Sequence, residues 1–347
     1  MCRGFSRRCG VTISSPRDSL QELERRANIE LAHIAKARLK TYDALPACME
    51  ALGAVHMPAD SALLLMGSWG RAELLDNSDA DWLLVLGDER APEEDLQSSV
   101  DAISRGFRDH GLDPPGSQGV FGTWARGQDV LRRIGLDADS NTNLTRRILI
   151  LLESVALTNR EARNELRAQL LKRYLGVTAR DFGVPRFLLN DLVRYWRTIC
   201  VDFAGKENES GLGWGLRNAK LRNSRKMLFA SGLLPALLCH QLAAQDQYLF
   251  LSDQLSAVSV DRIAYAFLTA DAIDAGARCL AAYDQFLGLI DDGNARAELK
   301  SLQRAHVGRS EAFAEARALG KEIQASLTAL LFETETFGRV TREYGIF

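Results

Sequence analysis

No apolar run in this sequence approaches the roughly 20 residues that a membrane span requires, so no transmembrane segment is expected. Charge of one sign is also lacking. The 43 lysines and arginines are offset by 45 aspartates and glutamates, and a net charge of −2 is not that of a generic nucleic-acid binder. The six cysteines (Cys2, Cys9, Cys48, Cys200, Cys239 and Cys279) include no C-x-x-C pair, and the five histidines are dispersed. These absences argue against a zinc site and for free thiols in a reducing compartment, which places the chain in the cytoplasm. Residues 1–15, MCRGFSRRCGVTISS, are basic without an apolar signal-peptide core and are expected to form a flexible extension. Residues 233–347 show neither an internal repeat nor a low-complexity segment.

What is there is an ordinary globular composition, 46% hydrophobic and 25% charged over 347 residues, enough for two domains. Within it, one stretch carries chemistry: Leu63 to Leu86, LLLMGSWGRAELLDNSDADWLLVL. It reads as a short apolar strand, a Gly-Ser turn with a turn or two of helix, and a second strand opening at Asp79. Side chains on a strand repeat every second residue, so Asp79 and Asp81 project from one face. Two adjacent carboxylates at the end of an apolar strand are unfavourable unless a cation lies between them. Hard oxygen ligands in that number suit Mg²⁺, which commonly takes one or two carboxylates plus substrate phosphates. Gly67 permits close backbone approach to a ligand, and Ser68 with the following amides can hold phosphate.

The string Gly67-Ser68, ten intervening residues, then Asp79-x-Asp81 before Trp82-Leu83-Leu84-Val85 resembles the signature of the polymerase-β-like nucleotidyltransferase superfamily. Gly70-Arg71 and Ser78 match its common form, GS-x-GR-x-E-L…SD-x-D. In detail it is most similar to the group containing the bacterial PII uridylyltransferases. The resemblance implies an α+β fold, with a small mixed-sheet nucleotidyltransferase domain followed by an all-helical domain. It further implies Mg²⁺ (with a two-metal site open), a nucleoside triphosphate as substrate, Asp79 and Asp81 as catalytic metal ligands, and Gly67, Ser68 and Arg71 at the nucleotide.

The remaining elements are expected as follows. A helical pattern runs from Pro16 to about Leu52, capped by Ser15, with Leu20, Leu23, Ile29, Leu31, Ile34 and Leu39 as its apolar stripe and a break or bend at Pro46. A further helix covers Pro92 to His110. Gly116 to Trp124 has strand character around Val120-Phe121, where the superfamily often places a third carboxylate. No acid occurs in it, and Asp113 and Asp129 flank it without a reason to choose either. Leu144 to Ala156 reads as a helix capped by Thr142 or Asn143. Its Arg146 and Arg147 either face a phosphate or are solvated, and its Glu153 is either an ion-pair partner or a late third acid.

Strand signals vanish beyond Glu161, which sets the domains as 16–157 and 158–347. Helix 190–206 is two-faced, with Asp191, Arg194, Thr198, Asp202 and Lys206 on one side and Leu192, Trp196, Ile199 and Phe203 on another. In helix 216–231, Arg217, Lys220 and Ser224 share a sector of roughly 60°, with Arg222, Arg225 and Lys226 off it. Five basic residues from Arg217 to Lys226 with no acid invite an anionic partner. By family resemblance a helical lobe supplies cations to the triphosphate, so Lys206, Arg217 and Lys220 are the further nucleotide-binding candidates. Asp202 four residues before Lys206 is the alternative, a helix-supporting pair. Trp214 among Gly211, Gly213 and Gly215 suggests a mobile link that grips a base or acceptor. Residues 233–347 read as a helical bundle, with Pro235 opening one helix and Leu249, Leu251, Ile263, Ala266, Phe267, Leu280, Phe286 and Ile290 as its core.

The expected activity is transfer of a nucleoside monophosphate to an acceptor hydroxyl on a protein, an RNA or a small molecule, releasing pyrophosphate. The alternative is a catalytically weak nucleotide sensor or interaction module of the same fold.

Overall fold

The computed structural model describes residues 16–53, 55–87, 92–115, 119–132, 134–209 and 213–345, without the side chains of 177–178 and 206–209. Residues 1–15 and Gly211, on which parts of the sequence reading rest, lie outside the described residues. The fold is α+β: a small mixed sheet near the N-terminus, followed by helices.

Four strands form the sheet, β1 (Ser61–Leu65), β2 (Trp82–Leu86), β3 (Thr123–Arg126) and β4 (Val155–Ala156), in the order β3-β2-β1-β4. β1 runs antiparallel to β2 and to β4, pairing Leu65 with Trp82 and with Val155, while β2 and β3 are parallel. That topology brings the end of β1 and the starts of β2, β3 and β4 to a single edge of the sheet. The site is built there.

Every residue of β1 and β2 is buried because helices cover both faces. Alternation divides them: Ala62, Leu64, Leu83 and Val85 face one core, while Leu63, Leu65, Trp82, Leu84 and Leu86 face the other. The first core is closed by helices Asn141–Glu153, Arg160–Thr178 and Arg186–Glu209, and the second by the end of helix Ala32–Ala51 and by Glu93–Asp109. Fully burying a Leu side chain contributes about 1.5–3 kcal/mol, so these strands are anchored from both sides.

A third core unites the C-terminal helices with the N-terminal ones. Leu20 and Leu23 pack with Phe267, and a Cβ on Gly276 would lie 2.8 Å from Leu23 Cδ1. The helix Ser19–Ala27, which the sequence reading groups with the sheet domain, thus packs against the C-terminal bundle.

Several local expectations are corrected. The single helix over 16–52 is a 3₁₀ turn (Pro16–Asp18) and two helices, Ser19–Ala27 and Ala32–Ala51, separated at Asn28, whose φ is +51°. Pro46 sits inside the second helix without breaking it; Pro46 and Tyr42, whose carbonyl loses its donor, are both exposed. Leu39 is 65% exposed, because the buried stripe runs through Ile34, Ala37, Thr41 and Cys48. Leu249 is 69% exposed, since helix Ala244–Gln254 buries Gln247, Leu251 and Gln254, and Leu249 lies about 200° round from Gln247. Pro235 lies within helix Lys226–Leu238 and opens nothing. The helix expected to reach Ala156 ends at Glu153, with β4 following, and its cap is Ser140, whose hydroxyl accepts from the Asn143 N–H at 3.1 Å. No helix among the described residues is long and apolar enough to cross a membrane.

Candidate active site

The β1–β2 ladder continues past both strand ends, as the Met66 N–H donates to the Asp81 carbonyl at 2.8 Å. The alternation therefore persists: Ala80 points into the core, while Asp79 and Asp81 both open into one cleft. Asp79 is exposed and Asp81 half-buried. The Trp69 indole donates to the Asp79 carbonyl at 3.2 Å, and the Ala80 N–H donates to the Asp113 carbonyl at 2.9 Å, which fixes the main chain of the pair.

Gly67 turns β1 into the short helix Gly67–Gly70 with φ +62°, and a Cβ there would stand 2.5 Å from Asp81 Oδ2. Close approach of the turn to the carboxylate thus demands glycine. Gly70 is still tighter, since its Cβ would overlap the Glu153 carbonyl at 1.3 Å.

Glu153, at the end of its helix, is the residue the sequence reading left open. Its carboxylate accepts from the Gly67 N–H at 2.9 Å and from Arg71 Nη1 at 2.6 Å, while Arg71 Nε donates to Glu73 at 2.7 Å. It is an ion-pair partner. Arg71 lines the cleft with two of its nitrogens already committed to protein carboxylates; burial alone would lower its pKa, but Glu73 and Glu153 outweigh that and raise it. Burial, together with Glu153 and Asp79, pushes the Asp81 carboxyl up to about 7.

The opposite wall is helical. Arg217, Lys220 and Ser224 all line the cleft, as their shared sector predicts. Arg225 joins them, against the expectation, because Leu221–Arg225 is a π-helical segment. A π-turn advances each residue through a smaller angle than an α-turn, so it rotates Arg225 towards the sector that α-geometry denies it. Nε and Nη2 of Arg217 are buried without a hydrogen-bond partner. Burial and the neighbouring Arg296 press the Lys220 ammonium down to about 8, with Asp79 opposing. No ion pair among the described residues joins Asp79 or Asp81 to these cations.

Apolar side chains fill the space between, with Val120 and Phe121 from one side and Ile199, Phe203 and Leu228 from the other. Val120-Phe121 is not the strand expected; it precedes β3 as a rim held by Arg146, which donates to the carbonyls of Gly119 (2.8 Å) and Val120 (3.3 Å). Arg147 is fully buried in an ion network, so neither arginine faces a phosphate. Trp214 is likewise core: it is buried, with its ring 5.2 Å from that of Phe313. Gly215 allows the close approach of Leu299 and Leu302. The side chain of Lys206 lies outside the described residues; its neighbour Asp202 lines the cleft.

Sequence reasoning missed Arg225 and Arg296 and left the role of Glu153 open between an ion-pair partner and a third acid. The absence of acids from Arg217 to Lys226 was the one available signal, and it pointed to the helix without assigning Arg225 to the cleft.

Residues 10–126 match the family model described as "Putative nucleotidyltransferase DUF294", a likeness consistent with the nucleotidyltransferase superfamily. No curated protein matches the chain.

Proposed function

We propose that the chain transfers a nucleoside monophosphate from a nucleoside triphosphate to an acceptor hydroxyl, releasing pyrophosphate, in a Mg²⁺-dependent reaction in the cytoplasm. The observation that carries this reading is the cleft itself, where Asp79 and Asp81 face Arg217, Lys220 and Arg225 with no ion pair between the two walls. The finer likeness to the polymerase-β-like enzymes of the PII-uridylyltransferase group rests on the string from Gly67 to Asp81.

The donor set fits the ion. Asp79 and Asp81 supply hard carboxylate oxygens, and the like-charge crowding at Asp81 is what a divalent cation relieves. No group of three or more His, Cys, Asp or Glu suited to a metal occurs among the described residues, so substrate phosphates would complete the shell. Bound there, Mg²⁺ would neutralise phosphate charge and polarise the α-phosphate.

The protein's own groups do the rest. Ser68 and the turn after Gly67 orient the phosphates, although the Gly67 N–H itself is engaged by Glu153. Arg217, Lys220 and Arg225 offset charge that builds on the departing pyrophosphate as the acceptor oxygen bonds to the α-phosphorus and its proton is released. Phe121, Ile199 and Phe203 offer apolar surface to the base and exclude water. Such catalysis is mainly positioning and preorganised charge.

The test is incubation of the protein with each α-labelled nucleoside triphosphate, Mg²⁺ and host extract. Label should appear on a protein, RNA or small molecule with the wild type and not with Asp79→Asn or Asp81→Asn. Equal labelling by either variant refutes the reading.

One observation favours a second reading, that of a nucleotide sensor. β3 (TWAR) carries no acid, and the third carboxylate near the pair, Glu153, is tied to Arg71 and Gly67. A sensor would show Mg²⁺-dependent thermal stabilisation by nucleotide and no labelled product.

A further inference from the structure

The loop that presents the carboxylate pair is held mainly from outside the sheet. Arg296, on the helix Gly293–Ser301, donates from Nη2 to the carbonyl of Asn77, two residues ahead of Asp79. Its Nη1 donates to the Ile290 carbonyl at 3.3 Å, near the end of the helix Ile273–Asp291. From that same helix end, Asp291 accepts the N–H of Asp76 at 3.4 Å. Lys40 pairs with the Asp76 side chain, and Lys36 holds Asp291 at 2.8 Å. Between its ends the loop's own bonds, Ser78 with Leu75, are local. Thr41 accepts from the Leu74 N–H ahead of it, and the Trp69 indole and the Asp113 carbonyl hold the main chain at Asp79 and Ala80, which leaves 76–77 to the C-terminal helices.

Arg296 is an unusual clamp. Its residue is 6% exposed, its two recorded hydrogen bonds go to main-chain carbonyls, and its Nε is buried without a partner. No ion pair of Arg296 is formed among the described residues. A buried guanidinium whose hydrogen bonds go to carbonyls, with Asp79, Asp291 and Asp113 acting on it only through space, is costly, and a purely packing role is better filled by an apolar side chain of similar volume. What the guanidinium does that such a residue does not is grip two carbonyls at once, one on the carboxylate loop and one on the C-terminal helices.

We propose that Arg296 is a positioning residue for the carboxylate pair: by holding the Asn77 carbonyl it sets the direction of Asp79 into the cleft and couples the C-terminal helices to divalent-cation binding. This rests on the metal reading above. The C-terminal helices are then part of the site and not only a scaffold around it.

The test uses the full chain, Mn²⁺ as the paramagnetic probe, and a saturating non-hydrolysable α,β-methylene triphosphate. Free and bound Mn²⁺ are read by electron paramagnetic resonance, and nucleotide affinity is measured separately in chelator. Groups that orient metal ligands typically matter by 10–100-fold in metal affinity, so Arg296→Lys, which keeps the charge and loses the fork, should bind Mn²⁺ about 10-fold more weakly. Its metal-free nucleotide affinity should fall by less than its Mn²⁺ affinity, because Arg296 also lines the cleft but lysine keeps the positive charge there while losing the grip on the Asp79 loop. Arg296→Ala should lose at least as much Mn²⁺ affinity as the lysine variant. Unchanged binding in Arg296→Lys, or tighter binding in Arg296→Ala as removal of a nearby cation alone would give, overturns the proposal and leaves the metal reading standing. A wild-type chain that binds no Mn²⁺ beside the analogue overturns both.

Discussion

Two charged clusters in this molecule have similar composition and opposite states. Behind the sheet, Arg147 is wholly buried and donates to Asp139 (2.9 and 3.1 Å), Asp191 (2.7 Å) and the Tyr174 hydroxyl (2.7 Å). Arg194 completes the set by donating to Asp191 at 2.8 Å and Asp139 at 3.3 Å. Two guanidinium groups meet two carboxylates, and the cluster ties helices Asn141–Glu153, Arg160–Thr178 and Arg186–Glu209 together. In the cleft, Asp79 and Asp81 stand opposite Arg217, Lys220 and Arg225, and no ion pair forms between the walls. Charges that satisfy one another specify the fold; charges held apart by the fold are available to a ligand that carries both a cation and phosphates.

That contrast can be broken from either side. The largest effect is expected at the carboxylates. Asp79→Asn or Asp81→Asn should lower transfer by about 10³-fold, as removal of a preorganised charge does, while melting temperature holds or rises because like-charge crowding is relieved. Loss of fold in these variants would erase the distinction. Next comes the balanced cluster: Arg147→Ala should cost about 3–5 kcal/mol of stability in chemical denaturation, because two buried carboxylates keep only the half-exposed Arg194 as an ionic partner. Nucleotide affinity of the molecules that remain folded should be unchanged.

Smaller effects sharpen the comparison. Gly67→Ala places a methyl against Asp81 at a φ of +62° and should cost about 1–3 kcal/mol in strain, with a parallel loss of transfer. Lys220→Ala should weaken triphosphate binding by about 10-fold, the worth of one charge-assisted contact, without lowering stability. The sign of the pH dependence follows from the ammonium held down to about 8 in the free protein. The triphosphate favours the charged form, so affinity is full below about pH 8 and falls as pH rises through it. Titration calorimetry across that range should show the fall in the wild type and a flatter profile in Lys220→Arg.

The legibility of the site in the sequence follows the distance over which its parts interact. Gly67, Ser68, Asp79 and Asp81 lie within 15 residues, so strand alternation and turn chemistry were enough to bring them together. The sector of Arg217, Lys220 and Ser224 was equally local. Arg225 escaped because a π-turn is not written in α-helical spacing. Glu153 stayed open between two roles because the two-residue β4 that follows it acquires its identity only by pairing with β1. Arg71, read from its motif position as a nucleotide contact, is engaged by two carboxylates, one of them 82 residues away. Leu39 and Leu249 carry apolar side chains on faces their helices leave exposed, and residue type alone does not say which face will be covered.

By itself, then, the amino-acid order determined the elements and the pattern that short spacing controls: two apolar strands around a Gly-Ser turn, a pair of carboxylates on one strand face, and a basic helix without acids. Period and turn propensity act over a few residues, so they can be read in one dimension. Only the tertiary structure decided which charges would be cancelled and which left open. Arg147 is fully buried and Lys220 half-buried; one meets Asp139 and Asp191, the other faces Asp79 across a cleft. That outcome depends on how strands β1 to β4 bring their ends to one edge and how the helices dock across it, which long-range packing alone sets.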